Sequence, residues 1–334
     1  MPEARLSVRN LTTVFHAGRG VLRAVDGTSF DVSSGQTVAL MGDSGAGKSL
    51  VALSLLRLVP DPPGKVVAGE VQFRGRDLLK LPARDLCRVR GAEIAMIFQE
   101  PLAVLGASSS VGMQITQILR IHGMARGRRA RDRALDVLHE VGISSPTETY
   151  AAFAHQLPGG TLRQVMIAMA LVCSPALLLA DEPTAGLDPT VRTWVLELLG
   201  RLRTERQTSI LLITHDLDSV LQLSQRALVM HAGRIVESAP TAELFAAPRH
   251  PYTQGLLAAH ASSAAHGQPR APRLPMIGGL DPDLEIPAPG CRFAERCPKF
   301  AKRGDAICGE REPDLLPLGG EHAARCHFAT EDRP

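Results

Sequence analysis

The chain has 334 residues, 45% of them hydrophobic but only 4% aromatic, so aliphatic side chains must fill its core. That length accommodates one large domain with an appendage, or two domains. The formal net charge of +3 is small for this length and argues neither for nor against a nucleic-acid partner.

No stretch is long and apolar enough to cross a bilayer. The most apolar, Val165 to Ala180, is too short and is broken at Ser174-Pro175. Residues 1 to 20 carry Glu3, Arg5, Arg9 and Arg19 and no apolar run, so no signal peptide is expected. The six cysteines are then expected in a reducing compartment, which disfavours disulfides.

Leu6-Ser7-Val8 and Thr28 to Val32 alternate like strands, separated by Gly18, Gly20 and Gly27, and predict an N-terminal antiparallel β-layer. Phe15 is expected in a loop before the second of these strands, either stacking on an adenine ring or serving as a core residue of the layer. Val38 to Met41 reads as a buried strand. It leads into Gly42-Asp43-Ser44-Gly45-Ala46-Gly47-Lys48-Ser49, which fits the phosphate-binding P-loop pattern at every fixed position. Leu50 to Leu58 reads as the helix that follows. Backbone N–H groups of such a loop wrap phosphates, with glycines where a Cβ would block the approach. Lys48 supplies positive charge to the outer phosphates, Ser49 offers a hydroxyl to Mg²⁺, and the helix N-terminus adds its partial charge.

Pro60, Pro62, Pro63 and Gly64 mark a loop before short strands at Gly69 to Phe73 and Ile94 to Phe98. Gln99 follows at once, where an amide suits Mg²⁺ or an attacking water. Val111 to His122 and Ala130 to Val141 show helical periodicity. The cluster Arg126, Arg128, Arg129, Arg131 and Arg133 reads as a solvated helix start in preference to a nucleic-acid or lipid contact. Leu157-Pro158-Gly159-Gly160 opens a helix expected over Thr161 to Cys173. Leu177 to Ala180 is a buried parallel strand ending in Asp181-Glu182, at the ligand edge of an open α/β sheet. There Asp181 holds Mg²⁺ through water and Glu182 polarises the attacking water; the alternative is that the two acids cap the next helix. Ile210 to Ile213 is a further buried strand, and His215 after it can contact a γ-phosphate. Strands at Arg226 to Met230 and Arg234 to Glu237 flank an Ala232-Gly233 turn.

The order of these motifs resembles an ABC-transporter ATPase subunit over residues 5 to 250. The resemblance implies an α/β P-loop ATPase of the ABC-cassette type, with the N-terminal β-layer and an inserted helical subdomain near residues 100 to 165. Its site residues are Phe15, Gly42, Ser44, Gly45, Ala46, Gly47, Lys48, Ser49 and Leu50 around ATP; Gln99 in the Q-loop; Gly159 and Gly160 in the signature motif; Asp181 and catalytic Glu182; Asp188 in the D-loop; and His215 in the H-loop. Mg²⁺ falls to Ser49, Gln99 and Asp181. Family members sandwich two ATPs between paired subunits, each ATP meeting one P-loop and the other subunit's signature motif.

His250-Pro251-Tyr252-Thr253-Gln254-Gly255-Leu256-Leu257, Gln99-Glu100-Pro101 and the run Arg163 to Leu171 further resemble the oligopeptide/dipeptide/nickel importers. That branch implies a C-terminal extension over 251–334, a second ATPase subunit, two membrane permease subunits, an extracytoplasmic solute-binding protein and no nucleic acid. It places the chain on the cytoplasmic face of the inner membrane and makes it the ATPase that energises peptide import. A nickel or other small-solute importer, or a regulatory subunit that does not hydrolyse ATP, stands as the alternative. A soluble ABC ATPase of DNA repair or ribosomes is disfavoured, because neither a coiled-coil insertion nor a second cassette is visible.

Two departures from the family stand out. Pro158 replaces the signature serine, whose hydroxyl meets the partner's γ-phosphate, while Pro itself suits a first helical turn; Thr161-Leu162 replaces the usual Met-Arg. Val104-Leu105-Gly106-Ala107 replaces the usual Ser-Leu-Asn-Pro near the expected permease surface. In the tail, Cys291, Cys297, Cys308 and Cys326 sit in a Pro- and Gly-rich segment that needs a staple. Four thiolates can bind zinc or another metal or a [4Fe–4S] cluster, and the alternative is unligated thiols or disulfides; the family resemblance implies the cluster. Cys87 and Cys173 read as buried core.

Overall fold

The computed structural model describes residues 4–17, 20–264, 289–304 and 306–330. Among the described residues twelve strands follow in order: β1 (Ala4–Ala17), β2 (Gly20–Ser33), β3 (Thr37–Met41), β4 (Gly64–Phe73), β5 (Arg76–Asp77), β6 (Ile94–Ile97), β7 (Leu177–Asp181), β8 (Ser209–Ile213), β9 (Arg226–His231), β10 (Arg234–Pro240), β11 (Leu316–Gly319) and β12 (His322–Ala324). They are distributed over two compact units that do not follow chain order. The first holds residues 1–5, 32–37 and 80–212; the second holds 6–31, 38–79 and 213–334.

In the first unit β8, β7 and β6 lie side by side, with β6 and β7 parallel and Ile94 opposite Leu177. Every residue of these three strands is buried, as their unbroken apolar runs require. The helices between β6 and β7 obey the 3.6-residue period. Gly127–Glu140 buries Ala130, Ala134, Val137 and Leu138, one stripe at i, i+4, i+7 and i+8. Val111–Ile121 starts at Ser110, whose hydroxyl accepts the Met113 N–H. The arginines of the basic cluster meet water, as expected: Arg126, Arg128, Arg129 and Arg131 are exposed.

The second unit carries the predicted antiparallel layer, ordered β2-β1-β4-β5, and a run β11-β12-β10-β9-β3 in which β3 pairs parallel with β9. Strands β1 and β2 run 14 residues each, far beyond the short alternations visible in the sequence. Phe15 therefore lies inside β1, opposite Gly64 of β4, and not in a loop. It is half-buried, and its ring edge covers Gly64 so closely that a Cβ there would meet it at 2.7 Å.

One core cluster of this unit joins Ala39 and Met41 of β3, Val229 of β9 and Val236 of β10 to Tyr252 and Phe293 of the tail. The C-terminal extension is thus packed on the strand that delivers the P-loop. Cys173 is buried as expected, but Cys87 is exposed on the short helix Ala83–Val89, whose buried side is formed by Leu86 and Val89.

Candidate nucleotide-binding site

β3 is buried along its whole length and ends at Met41, so the chain must turn at Gly42. Gly42 has φ +152° and Gly47 φ +102°. A Cβ on Gly42 would lie 2.1 Å from the Met230 carbonyl oxygen, and one on Gly47 would lie 2.2 Å from that of Ala24. These two glycines are demanded by the protein's own backbone rather than by a ligand's approach. Gly45, at φ +80°, has open space on its Cβ side and is the one that leaves the loop's outer face clear. The helix Lys48–Leu55 begins directly after Gly47. Lys48 is buried, and its Nζ donates to the carbonyls of Gly42 and Asp43, both at 2.8 Å. The Ala46 carbonyl accepts the Gly233 N–H at 3.0 Å, which ties the loop to the β9–β10 hairpin.

The same unit presents His215. Thr214, just beyond β8, donates its N–H to Leu40 of β3, and its hydroxyl accepts the Asp216 N–H at 3.0 Å. This turn leaves His215 exposed beside the end of the P-loop strand. Lys48, Ser49 and His215 are thereby carried by one unit.

The first unit carries the other predicted residues. Asp181 ends β7 and is 4% exposed; Glu182 follows at 7% exposed. Glu182 has φ +47°, a left-handed conformation that a non-glycine residue adopts only when its surroundings impose it. Gln99 is exposed two residues after β6. Asp188 caps the helix Pro189–Arg206, accepting the N–H groups of Thr190 and Val191 at 3.0 and 3.1 Å, with Pro189 in the first turn. Gly159 and Gly160 open the helix Gly159–Leu171. Pro158 stands one step before the expected first turn, as the N-cap with φ −60° and ψ 153°. Proline fits that extended conformation, but it brings no side-chain cap.

Sequence reading gave no role to Arg163, yet it is the lynchpin of this region. Its guanidinium is 6% exposed and donates to the carbonyls of Phe98 and Ala185, both at 3.1 Å. One side chain thus holds the strand end before Gln99 and the loop after Glu182. Burial lowers its pKa, while the charges of Glu100 and Glu182 work against that shift.

Two buried polar hubs fix the tail, and both escape sequence inspection because their members are far apart in the chain. Glu237, fully buried, accepts the N–H groups of Arg249 and His250 at 2.6 and 2.9 Å and lies 2.7 Å from His322 Nε2. Asp26 accepts from Arg234 at 2.9 Å and from Arg292. Burial alone would raise its carboxyl, but Arg234 and Arg292 outweigh that and hold it below the ordinary value.

Burial drives the His250 pKa down to about 3, so its ring is neutral, and Nδ1 accepts the Tyr252 N–H at 3.0 Å. A depressed histidine contributes stability above its unfolded pKa of about 6.5, lost progressively as pH falls from there toward 3. His322 runs the other way: its bond to Glu237 raises its pKa, so its contribution is complete below about 6.5 and lost as pH rises through the folded value. Replacing His250 with asparagine keeps a cap acceptor without the titration. The variant's unfolding free energy should fall less steeply than the wild-type's between pH 6.5 and 4, by up to about 1.4 kcal/mol per pH unit.

Cys291, Cys297, Cys308 and Cys326 line one small cavity with His250, Phe293 and Phe300. None of the four is in a disulfide. Burial pushes the Cys291 thiol up to about 12, and the neighbouring Cys308, Cys326 and Cys297 add to the rise. The four residues share a cavity, but among the described residues no group of three or more His, Cys, Asp or Glu is placed to hold a metal ion. The predicted iron–sulfur site is therefore not supported by the arrangement of these side chains.

Comparison with known proteins agrees with these motifs. The ABC transporter family matches residues 25–185, and the oligopeptide/dipeptide transporter C-terminal region matches residues 236–303. The chain is 44% identical to a probable peptide ABC transporter ATP-binding protein, y4tR, of Sinorhizobium fredii, over 98% of this chain and 95% of that one. It is 41% identical to the oligopeptide transport ATP-binding protein AppD of Bacillus subtilis, over 98% of this chain and 97% of the relative. Among solved structures, a dimeric post-hydrolysis state of the ATP-binding cassette MJ0796, bound to ADP and Pi, matches with a TM-score of 0.64 and 25% identity, over 71% of this chain and 98% of that one. The chain belongs to the ATP-binding, ATP-hydrolysing subunits of the peptide-type ABC transporters.

Proposed function

We propose that this chain hydrolyses ATP to drive peptide import through a membrane permease pair supplied by an extracytoplasmic binding protein, working from the cytoplasmic face of the membrane. The observation that carries this is the buried Lys48, already folded over an open glycine loop, in a chain whose relatives at 41–44% identity are named for peptide transport. Among the described residues no helix is long and apolar enough to cross a membrane, which suits a peripheral subunit. Leu102 and Met113, 62% and 61% exposed in the helical region near residues 100 to 165, are apolar side chains suited to a permease contact. The functional division is a nucleotide domain over 1–250 and an extension over 251–334.

Residue by residue, the P-loop from Gly42 to Leu50 holds the triphosphate, with Lys48 on its outer phosphates. Ser49, Asp181 and Gln99 hold Mg²⁺, which supplies charge neutralisation at the phosphates when bound. Glu182 readies the attacking water, His215 meets the γ-phosphate, Phe15 stacks on the adenine, and Asp188, Gly159 and Gly160 face the second ATP of the pair. The partner is a different ATPase subunit with an intact signature motif. The exposed Pro158 lacks the hydroxyl for that second ATP, so the site it completes is the slow one. Restoring serine at position 158 should raise turnover of the assembled transporter by up to about tenfold, the worth of one hydrogen bond to a charged group. Unchanged turnover in that variant would remove the asymmetry from the account.

For the four tail thiols we propose a [4Fe–4S] cluster. Their shared cavity gives it a place, and the iron and acid-labile sulfide content of chain purified without oxygen checks it.

A further inference from the structure

A buried tyrosine needs a partner for its hydroxyl. Tyr252, fully buried in the first helix of the extension, finds one 209 residues away: its Oη accepts the backbone N–H of Asp43 in the P-loop at 2.7 Å. Burial, with the charge of the nearby Asp43 carboxylate, raises its pKa. The ring cannot move aside. His231 lies over it at 4.5 Å between ring centroids, and Phe293, two residues after Cys291, packs against it at 5.5 Å and 64°. Its own N–H is fixed by His250.

The backbone of Asp43 is therefore held on both sides, its N–H by Tyr252 and its carbonyl by Lys48 Nζ. The lysine is the group that serves the phosphates, so when a nucleotide draws its ammonium away, Tyr252 remains as the tie that keeps the loop in shape. We propose that Tyr252 is a positioning residue for the nucleotide, a side chain of the C-terminal extension that holds the P-loop in its binding-competent form. Through Phe293 and Cys291, the packing of the cysteine module is thereby coupled to nucleotide affinity. The inference rests on the ATP-binding role of Lys48's loop.

The test is MgATP affinity of the full chain, measured well below its unfolding temperature. Tyr252→Phe keeps the ring and deletes only the hydroxyl. The loop then spends part of its time out of shape, and apparent affinity falls in proportion to the lost competent fraction, by about five- to tenfold. Leu244→Ala, in the same buried cluster but not bonded to the loop, destabilises the core and should leave affinity unchanged. Lys48→Ala should abolish binding. Wild-type affinity in Tyr252→Phe, or equal weakening in Tyr252→Phe and Leu244→Ala, overturns the proposal. If the unaltered chain binds no MgATP, or Lys48→Ala binds it equally well, the functional reading fails and this one with it; weakening by Lys48→Ala without weakening by Tyr252→Phe overturns this one alone.

Discussion

Replacing Glu182 with glutamine should lower ATP turnover of the assembled transporter by about 10²- to 10⁴-fold while leaving MgATP binding intact, the range attached to losing a general base. The exchange is nearly isosteric, so it removes the carboxylate's charge without opening a cavity. The structure explains why a neighbouring acid cannot substitute. Glu182 is 7% exposed and held at φ +47°, directly after the last residue of a fully buried strand. That backbone is strained for glutamate and fixes the direction in which its side chain leaves the strand end. Asp181, one residue earlier, belongs to the strand itself. Turnover and the nucleotide dissociation constant, measured on the same preparation, separate this from a binding defect.

Arg163→Met should be almost as damaging, by a different route. The methylenes of methionine fill most of the space, but two half-buried carbonyls, Phe98 O and Ala185 O, lose a charged donor. Each such bond is worth about 1.5–3 kcal/mol, so a total loss of roughly 3–6 kcal/mol in stability is expected. The loss should also be local. The segments that lead to Gln99 and away from Glu182 come free together, so turnover falls further than the drop in folded fraction accounts for. Thermal unfolding alongside turnover of the remaining folded protein measures both parts.

The nucleotide machinery was legible because it is written in consecutive residues. Glycine-rich spacing, an unbroken apolar strand and a polar residue at its end are local signals, and Gly42 to Ser49, Leu177 to Glu182 and His215 all sit where those signals place them. What stayed hidden depends on partners remote in the chain. Nothing around Tyr252 announces a bond to Asp43, and nothing around Glu237 announces His322. Phe15 was misplaced because β1 continues through polar residues whose pairing with β4 is not visible from alternation. Cys87 was read as buried from its apolar neighbours, which turn inward on a short helix while the thiol faces out. The helix expected from Thr161 begins two residues earlier, at Gly159, with Pro158 as its N-cap, a difference within the usual uncertainty of helix ends.

Peptide uptake into vesicles carrying the permease pair and both ATPase subunits, driven by MgATP, tests the central claim most directly. With Lys48→Ala in this chain, normal assembly and no ATP-driven uptake is the predicted result, since the competent site uses this chain's own P-loop. Uptake continuing at the unaltered rate would mean that the energy enters elsewhere.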